Sequence, residues 1–320
     1  MIDMLVPQTI FAVVCLVIGA TATCAFALYY FRRVRMERPP IGRFNGRDLV
    51  VLFAFIITLP ALYLIMPRWA LTVVLAVTFL ASLSIGYRTV LPPAVLWVLI
   101  GSAISANIWV ARTQMGTLHG WQIYWTLNSI LALLGASAVA NLYVQGGMRL
   151  RHAAGFAFAL AFYDATFTLV IPLTPKLADA FNGFALDPSV GMTVGPYNAN
   201  IGIGDLLVYA TFTIAAFKAY GRYAARLAMV LVAVFGAAIP AVIPLITTAF
   251  TRGSLQVAVP AQVSFGPAAL LCYLWLRRRY GAERTTAAYY ASSDALTREP
   301  ATTLRPAPTT PAGTPAQLVR

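Results

Sequence analysis

Charged residues, histidines and cysteines are scarce in this chain. Of its 320 residues, 10% are charged, two are histidines and three are cysteines. Cys15, Cys24 and Cys272 lie in separate apolar stretches, which excludes a disulfide framework and a cysteine-ligated zinc site. Two histidines also give little basis for imidazole ligation of a metal. We therefore expect neither a metal ion nor another cofactor.

Apolar residues are correspondingly abundant. They make up 60% of the chain, and the mean hydropathy of +0.76 is too high for a protein whose main solvent is water. The net charge of +13 would suggest nucleic acid for a soluble protein. Here the arginines lie in short segments between apolar stretches, where anionic lipid headgroups explain them. The sequence predicts the lipid bilayer as a partner and no nucleic acid.

Nine stretches of the chain are long and apolar enough to cross a bilayer. A crossing takes about 20 helical residues for about 30 Å of hydrocarbon. The nine stretches are residues 8–31, 48–66, 69–86, 93–111, 121–143, 153–172, 197–217, 224–249 and 256–276. The predicted fold class is therefore all-α, a polytopic membrane protein with nine transmembrane helices.

The composition divides the chain into three parts. Residues 1–152 hold the first five predicted spans as an N-terminal scaffold, residues 153–276 hold spans six to nine, and residues 277–320 form a basic tail. The tail is rich in Ala, Thr, Pro and Arg without apolar periodicity, so we expect it to be disordered. Alternating nine spans places 19 of the 23 Lys and Arg residues on one side of the membrane. By the positive-inside rule, the N-terminus lies outside and the C-terminus in the cytoplasm.

Two acidic residues fall within predicted spans, Asp164 in span six and Asp205 in span seven. A carboxylate in hydrocarbon is costly, so an acid within a span is by default a functional hypothesis. Each of the two lies about eight residues, or about 12 Å, from the outer end of its span. Because spans six and seven are antiparallel neighbours, the two acids lie at one depth and can face each other.

Two facing carboxyl groups could act together as an acid and a base. Repulsion between their charges and the cost of burying both favour a pair that holds one proton. The charged member can take a proton from water while the protonated member donates to a carbonyl oxygen. The sequence thus predicts Asp164 and Asp205 as catalytic residues for the hydrolysis of an amide.

Three short motifs carry a resemblance to a known family. They are Tyr163-Asp164, Gly202-Ile203-Gly204-Asp205 and Pro260-Ala261-Gln262. In order and position they resemble the YD, GxGD and PAL motifs of the presenilin and signal peptide peptidase family of intramembrane aspartyl proteases. The resemblance covers about residues 153–276. It implies a presenilin-like protease that cuts transmembrane helices of other membrane proteins with an Asp164–Asp205 dyad, and substrate contacts at Tyr163, Gly202, Ile203, Gly204, Pro260, Ala261 and Gln262.

The third motif departs from the family pattern, with Gln262 where the family has Leu. Its amide could hydrogen-bond an extended peptide backbone. A second Pro-Ala segment, Pro267-Ala268-Ala269-Leu270, is the alternative match. Gly202 and Gly204 lack a Cβ, which would keep one side of span seven open to a substrate backbone. The long Gly-bearing segment 174–196 could add strand-like pairing to an unwound substrate.

Other interpretations of the same residues stay open. The acids could be structural residues whose carboxyl groups accept hydrogen bonds from neighbouring polar groups. They could also be the paired acids that carry protons in a proton-coupled transporter or channel. A catalytically silent chaperone or scaffold with the protease fold is a third interpretation, and accessory subunits are left open. Asn107, Asn128 and Asn141 are predicted to form hydrogen bonds between helices.

Overall fold

Helices dominate the computed structural model, which describes residues 2–36, 44–171, 173–181, 183–194, 197–250 and 259–295. The helices are α1 (Ile2–Arg33), α2 (Gly46–Ile65), α3 (Arg68–Tyr87), α4 (Pro93–Thr113), α5 (Leu118–Gln145), α6 (Leu150–Ala165), α7 (Leu173–Phe181), α8 (Ile203–Tyr220), α9 (Arg222–Leu231), α10 (Ile239–Phe250), α11 (Ala261–Tyr280) and α12 (Thr286–Tyr290). A π-helical segment follows α6 at Thr166–Val170, and another follows α9 at Val232–Ala238. Strands β1 (Ser189–Val194) and β2 (Tyr197–Gly202) pair as an antiparallel hairpin.

Seven helical segments in the described residues are long and apolar enough to cross a membrane. They are Ile10–Arg33, Gly46–Ile65, Arg68–Tyr87, Pro93–Thr113, Leu118–Gln145, Ile203–Tyr220 and Arg222–Pro244. The chain is thus an all-α, multi-pass membrane protein. Predicted spans six and nine are helical as α6 and α11, but α6 has only 16 residues, and α11 ends in Arg277, Arg278 and Arg279. These two helices are not among the seven.

Helix α8 lies at the centre of the bundle, because apolar residues occur on all of its faces. Of its 18-residue span 72% is buried, whereas α2 buries none of its residues and faces outward. Around α8 pack α1, α5, α6 and α9. Asp205 lies in the first turn of this central helix.

Small residues allow some helices to approach closely, as is common in membrane bundles. A Cβ on Gly266 of α11 would lie 2.9 Å from the Cβ of Ala161 and still closer to the carbonyl oxygen of Ala157, both on α6. A Cβ on Gly86 of α3 would collide in the same way with Ala138 of α5. The contact at Gly266 sets the spacing between α6 and α11.

The prediction of a helix over 197–217 is wrong at its start. Residues Tyr197–Gly202 form β2, and α8 begins only at Ile203. The polar residues Asn198 and Asn200 alternate with Ala199 and Ile201, which is the period of a strand, whereas hydropathy averaged over a span does not see this alternation. Asp205 therefore lies at the N-terminus of a helix and not in the middle of one.

The expected disorder of residues 277–320 is also wrong for the described part. Residues 277–280 complete α11, and Thr286–Tyr290 form α12. Tyr289 is fully buried, with its ring 4.9 Å from that of Phe31 and 5.8 Å from that of Phe217. Aromatic burial of this kind stabilises a segment that composition alone describes as polar. Residues 296–320 lie outside the described part.

The predicted hydrogen bonds between helices are confirmed. Asn141 of α5 donates through Nδ2 to the carbonyl oxygen of Ala27 in α1 at 3.1 Å. Asn107 of α4 donates to Oδ1 of Asn128 in α5 at 3.4 Å. All three side chains are buried, so these bonds replace contacts with water.

Candidate active site

Asp164 lies at the end of α6, one residue before the helix gives way to the π-helical segment. Its side chain is partly buried. The Oδ2 atom accepts a hydrogen bond from the backbone N–H of Gln262 at 3.4 Å. This N–H is free to donate because Pro260, the N-cap of α11, makes no side-chain cap.

Asp205 is the third residue of α8. The N-cap of that helix is Gly202, which has no side chain to cap the first turn, and the N–H of Ile203 donates instead to the carbonyl oxygen of Pro188 at 2.7 Å. A negative charge is favourable at this end of a helix. Asp205 Oδ1 accepts a hydrogen bond from Nε2 of Gln262 at 2.8 Å.

Gln262 therefore joins the two acids predicted from the sequence. Its backbone contacts Asp164 of α6 and its side chain contacts Asp205 of α8, so residues from three helices meet at one point. The side chain is only 1% exposed, and its Oε1 has no hydrogen-bond partner within the described part of the chain. Because one residue contacts both carboxyl groups, their charges lie close enough to repel each other.

The remaining predicted site residues differ in their surroundings. A Cβ on Gly204 would meet nothing within 4 Å, whereas one on Gly202 would lie 3.7 Å from Oδ2 of Asp205. The open side of α8 is thus at Gly204. Ile203 packs into the apolar core, and Tyr163 packs with its ring 4.5 Å from that of Phe167. For these two side chains, packing accounts for the contacts.

Of the two Pro-Ala segments, the one that begins at Pro260 lies at the acids. Ala261, the first residue of α11, accepts a hydrogen bond from Ser264 and directly precedes Gln262. Pro267 lies inside α11 and lines an apolar groove of about 520 Å³ between α11 and α9. The groove is bounded by Tyr223, Leu227, Leu231, Phe235, Leu271 and Trp275, among others.

The β-hairpin that leads into α8 is firmly anchored. Val190 and Ile201 are buried, and a Cβ on Gly19 of α1 would lie 3.2 Å from Val190. Gly19 lies in the middle third of the apolar span Ile10–Arg33. Non-helical backbone at such a depth occurs where it is buried in protein or lines a water-filled cavity. The hairpin is non-helical backbone of the kind that protein buries.

A polar clamp holds the segment before the hairpin. Asn128 Nδ2 donates to the carbonyl oxygens of Asp187 and Ser189 at 2.7 and 3.0 Å. Asn107 Oδ1 accepts from the backbone N–H of Leu186 at 2.8 Å. The Asp187 side chain is 2% exposed, and burial raises its pKa to about 7. This burial could not be predicted from the sequence, because Asp187 lies in a Gly- and Pro-bearing segment.

Tyr209 is a further residue that sequence reasoning missed. It lies one helical turn after Asp205, is fully buried, and donates its hydroxyl to the carbonyl oxygen of Gly236 at 2.9 Å. Its ring contacts that of Phe265 on α11, with centroids 4.6 Å apart. The spacing of four residues from Asp205 is the feature by which it could have been found. Tyr209 thus joins α8 to α11 and to the π-helical segment Val232–Ala238.

Among the described residues, no three His, Cys, Asp or Glu side chains are grouped as metal ligands. The site instead consists of two carboxyl groups, an amide and two uncapped helix N-termini. No model of a known protein family matches this chain, and no curated protein is significantly similar to it.

Proposed function

We propose that this chain is a presenilin-like intramembrane aspartyl protease, which hydrolyses peptide bonds within transmembrane segments of other membrane proteins. The observation that carries the proposal is the meeting of Asp164 and Asp205 at Gln262. Two carboxyl groups from different helices, at a point that polar groups line, fit a shared-proton acid and base. The proposal includes nine membrane-spanning helices, with α6 and α11 added to the seven that length and composition identify.

The position of the acids among membrane-spanning helices indicates the class of substrate. A transmembrane helix hides its amides in its own hydrogen bonds, so the scissile segment must unwind before water can attack it. The hairpin next to Asp205 has edges whose N–H and C=O groups can pair with an extended peptide. Gly204 leaves room for the peptide backbone.

The orientation of the chain follows from its basic residues. In this proposal the Arg-bearing end of α11 faces the cytoplasm, and the hairpin faces the opposite side. Water would reach the acids from that opposite side. The N-terminus is then outside and the C-terminus is cytoplasmic.

The test is cleavage of a single-span reporter protein in liposomes by the purified chain. Asp164→Asn and Asp205→Asn keep the side-chain shape but remove the acid, so each should reduce cleavage to the background level. Asp48→Asn is the matched control, because Asp48 caps α2, a helix that buries none of its residues. It should cleave like the unaltered protein.

Folding is checked by thermal unfolding of each variant in detergent. Cleavage of more than a few per cent in a well-folded Asp164→Asn or Asp205→Asn variant would refute the dyad. Proton flux into the liposomes without any cleavage would instead favour a proton-coupled transporter.

A further inference from the structure

We propose that Gln262 fixes the roles of the two acids: it holds the negative charge on Asp205, the base, and leaves Asp164 as the protonated acid. This inference rests on the proposed proteolytic function and identifies the residue that decides which acid is ionised and which is protonated. Gln262 is then a positioning residue, since it acts through the two acids and not on the substrate bond. The family pattern has Leu at this position, which could not donate such a bond.

The hydrogen bonds to Gln262 differ in length and kind. The side-chain amide donates to Asp205 at 2.8 Å, within the range of a strong bond to a carboxylate. The backbone N–H donates to Asp164 at 3.4 Å, longer than the usual range. A protonated carboxyl group can still accept this longer bond through its carbonyl oxygen. The shorter bond therefore favours the charge on Asp205.

The helix ends point to the same assignment. Asp205 lies in the first turn of α8, where the helix dipole stabilises a negative charge. Asp164 lies inside the continuous helix that α6 forms with the π-helical segment Thr166–Val170, away from any helix N-terminus, so it lacks this stabilisation of a negative charge. Since burial and mutual repulsion allow the pair one charge, these differences decide which residue carries it.

The assignment gives a balanced reaction. Asp205 takes a proton from water as the water oxygen bonds to the peptide carbonyl carbon, and Asp164 gives its proton to the carbonyl oxygen. Asp205 then gives the proton to the peptide nitrogen as the C–N bond breaks. Asp164 takes a proton from a hydroxyl of the intermediate, which restores both residues and releases a carboxylic acid and an amine.

The first test is the pH dependence of kcat/KM for Gln262→Met, which keeps the length of the side chain and removes the amide. The acid limb, which reports ionisation of the pair, should move to higher pH by about one to two units, because a hydrogen bond to a charged group favours ionisation by that much. The alkaline limb should stay in place. An acid limb identical to that of the unaltered protein would overturn the inference.

Ser264→Ala is the matched control on the same helix. Ser264 donates to the carbonyl oxygens of Phe235 and Ala261, so its loss weakens packing of α11 without touching either acid. It should lower the unfolding temperature and leave the acid limb unchanged. A shift of the acid limb in Ser264→Ala equal to that in Gln262→Met would show a general structural effect and also overturn the inference.

A second measurement does not need activity. Infrared difference spectroscopy at neutral pH detects a protonated carboxyl group directly. Asp164→Asn should remove one protonated carboxyl band, and Asp205→Asn should retain it; the reverse result would overturn the assignment. If the unaltered protein fails to cleave, the proposed function fails. If it cleaves but the bands are reversed, only the role of Gln262 fails.

Discussion

Replacement of Gly266 by Ala tests how the spacing of α6 and α11 controls the candidate site. The added Cβ would lie 2.9 Å from Ala161 Cβ, whereas non-bonded carbons prefer about 3.5–4.0 Å, so the helices must separate by about 1 Å. Overpacking of this kind costs about 1–3 kcal/mol of stability. Gln262 lies one turn before Gly266, and its 3.4 Å bond to Asp164 would break on such a shift. A misplacement of about 1 Å can lower a rate about 100-fold.

The measurements are the unfolding temperature in detergent and the initial rate of reporter cleavage in liposomes. We expect Gly266→Ala to lose a few degrees of unfolding temperature and about two orders of magnitude in rate. Gly155→Ala on α6 is the control, because its Cβ would meet nothing within 4 Å. It should match the unaltered protein in both measurements. Normal stability and normal rate in Gly266→Ala would show that α6 and α11 are not in close contact.

Two further predictions concern buried charged groups. The pKa of Asp187 is raised to about 7, so its stabilising contribution is complete below the ordinary pKa near 4 and is lost as pH rises through 7. Asp187→Asn should remove up to about 4 kcal/mol of this pH dependence, seen as an unfolding temperature that no longer falls between pH 5 and pH 8. Lys218 donates through Nζ to the carbonyl oxygens of Val144 and Met148, so Lys218→Met should destabilise the fold by about 3 kcal/mol in thermal unfolding. Lys176→Met, at an exposed site on α7, should change nothing.

The positions of the two acids could be predicted from the sequence for a reason that does not depend on the fold. A carboxyl group in an apolar stretch is costly wherever the helices pack, so Asp164 and Asp205 stand out in any arrangement. The same reasoning identified Asn107, Asn128 and Asn141 as partners between helices, because buried amides must find hydrogen bonds.

The hairpin and the burial of Lys218 and Asp187 could not be predicted in this way. Because hydropathy is averaged over about 20 residues, it assigns the six residues of β2 to a helix. Lys218 and Asp187 look like ordinary loop or helix-end charges in the sequence. They are buried only because α12 and the clamp at Asn128 cover them, and these contacts join residues 59 or more apart.

Residue types and apolar stretches are enough to show that the chain lies in a membrane, where most of its helices lie, and which two acids are costly to bury there. These are properties of single residues and short stretches in an apolar solvent. Tertiary structure alone decided that Gln262 contacts both acids, that Asp205 lies at the start of a helix, and that Ile203 faces the core. Such contacts depend on how closely α6, α8 and α11 approach one another. The distance between α6 and α11 is set by shape at Gly266 and not by hydropathy.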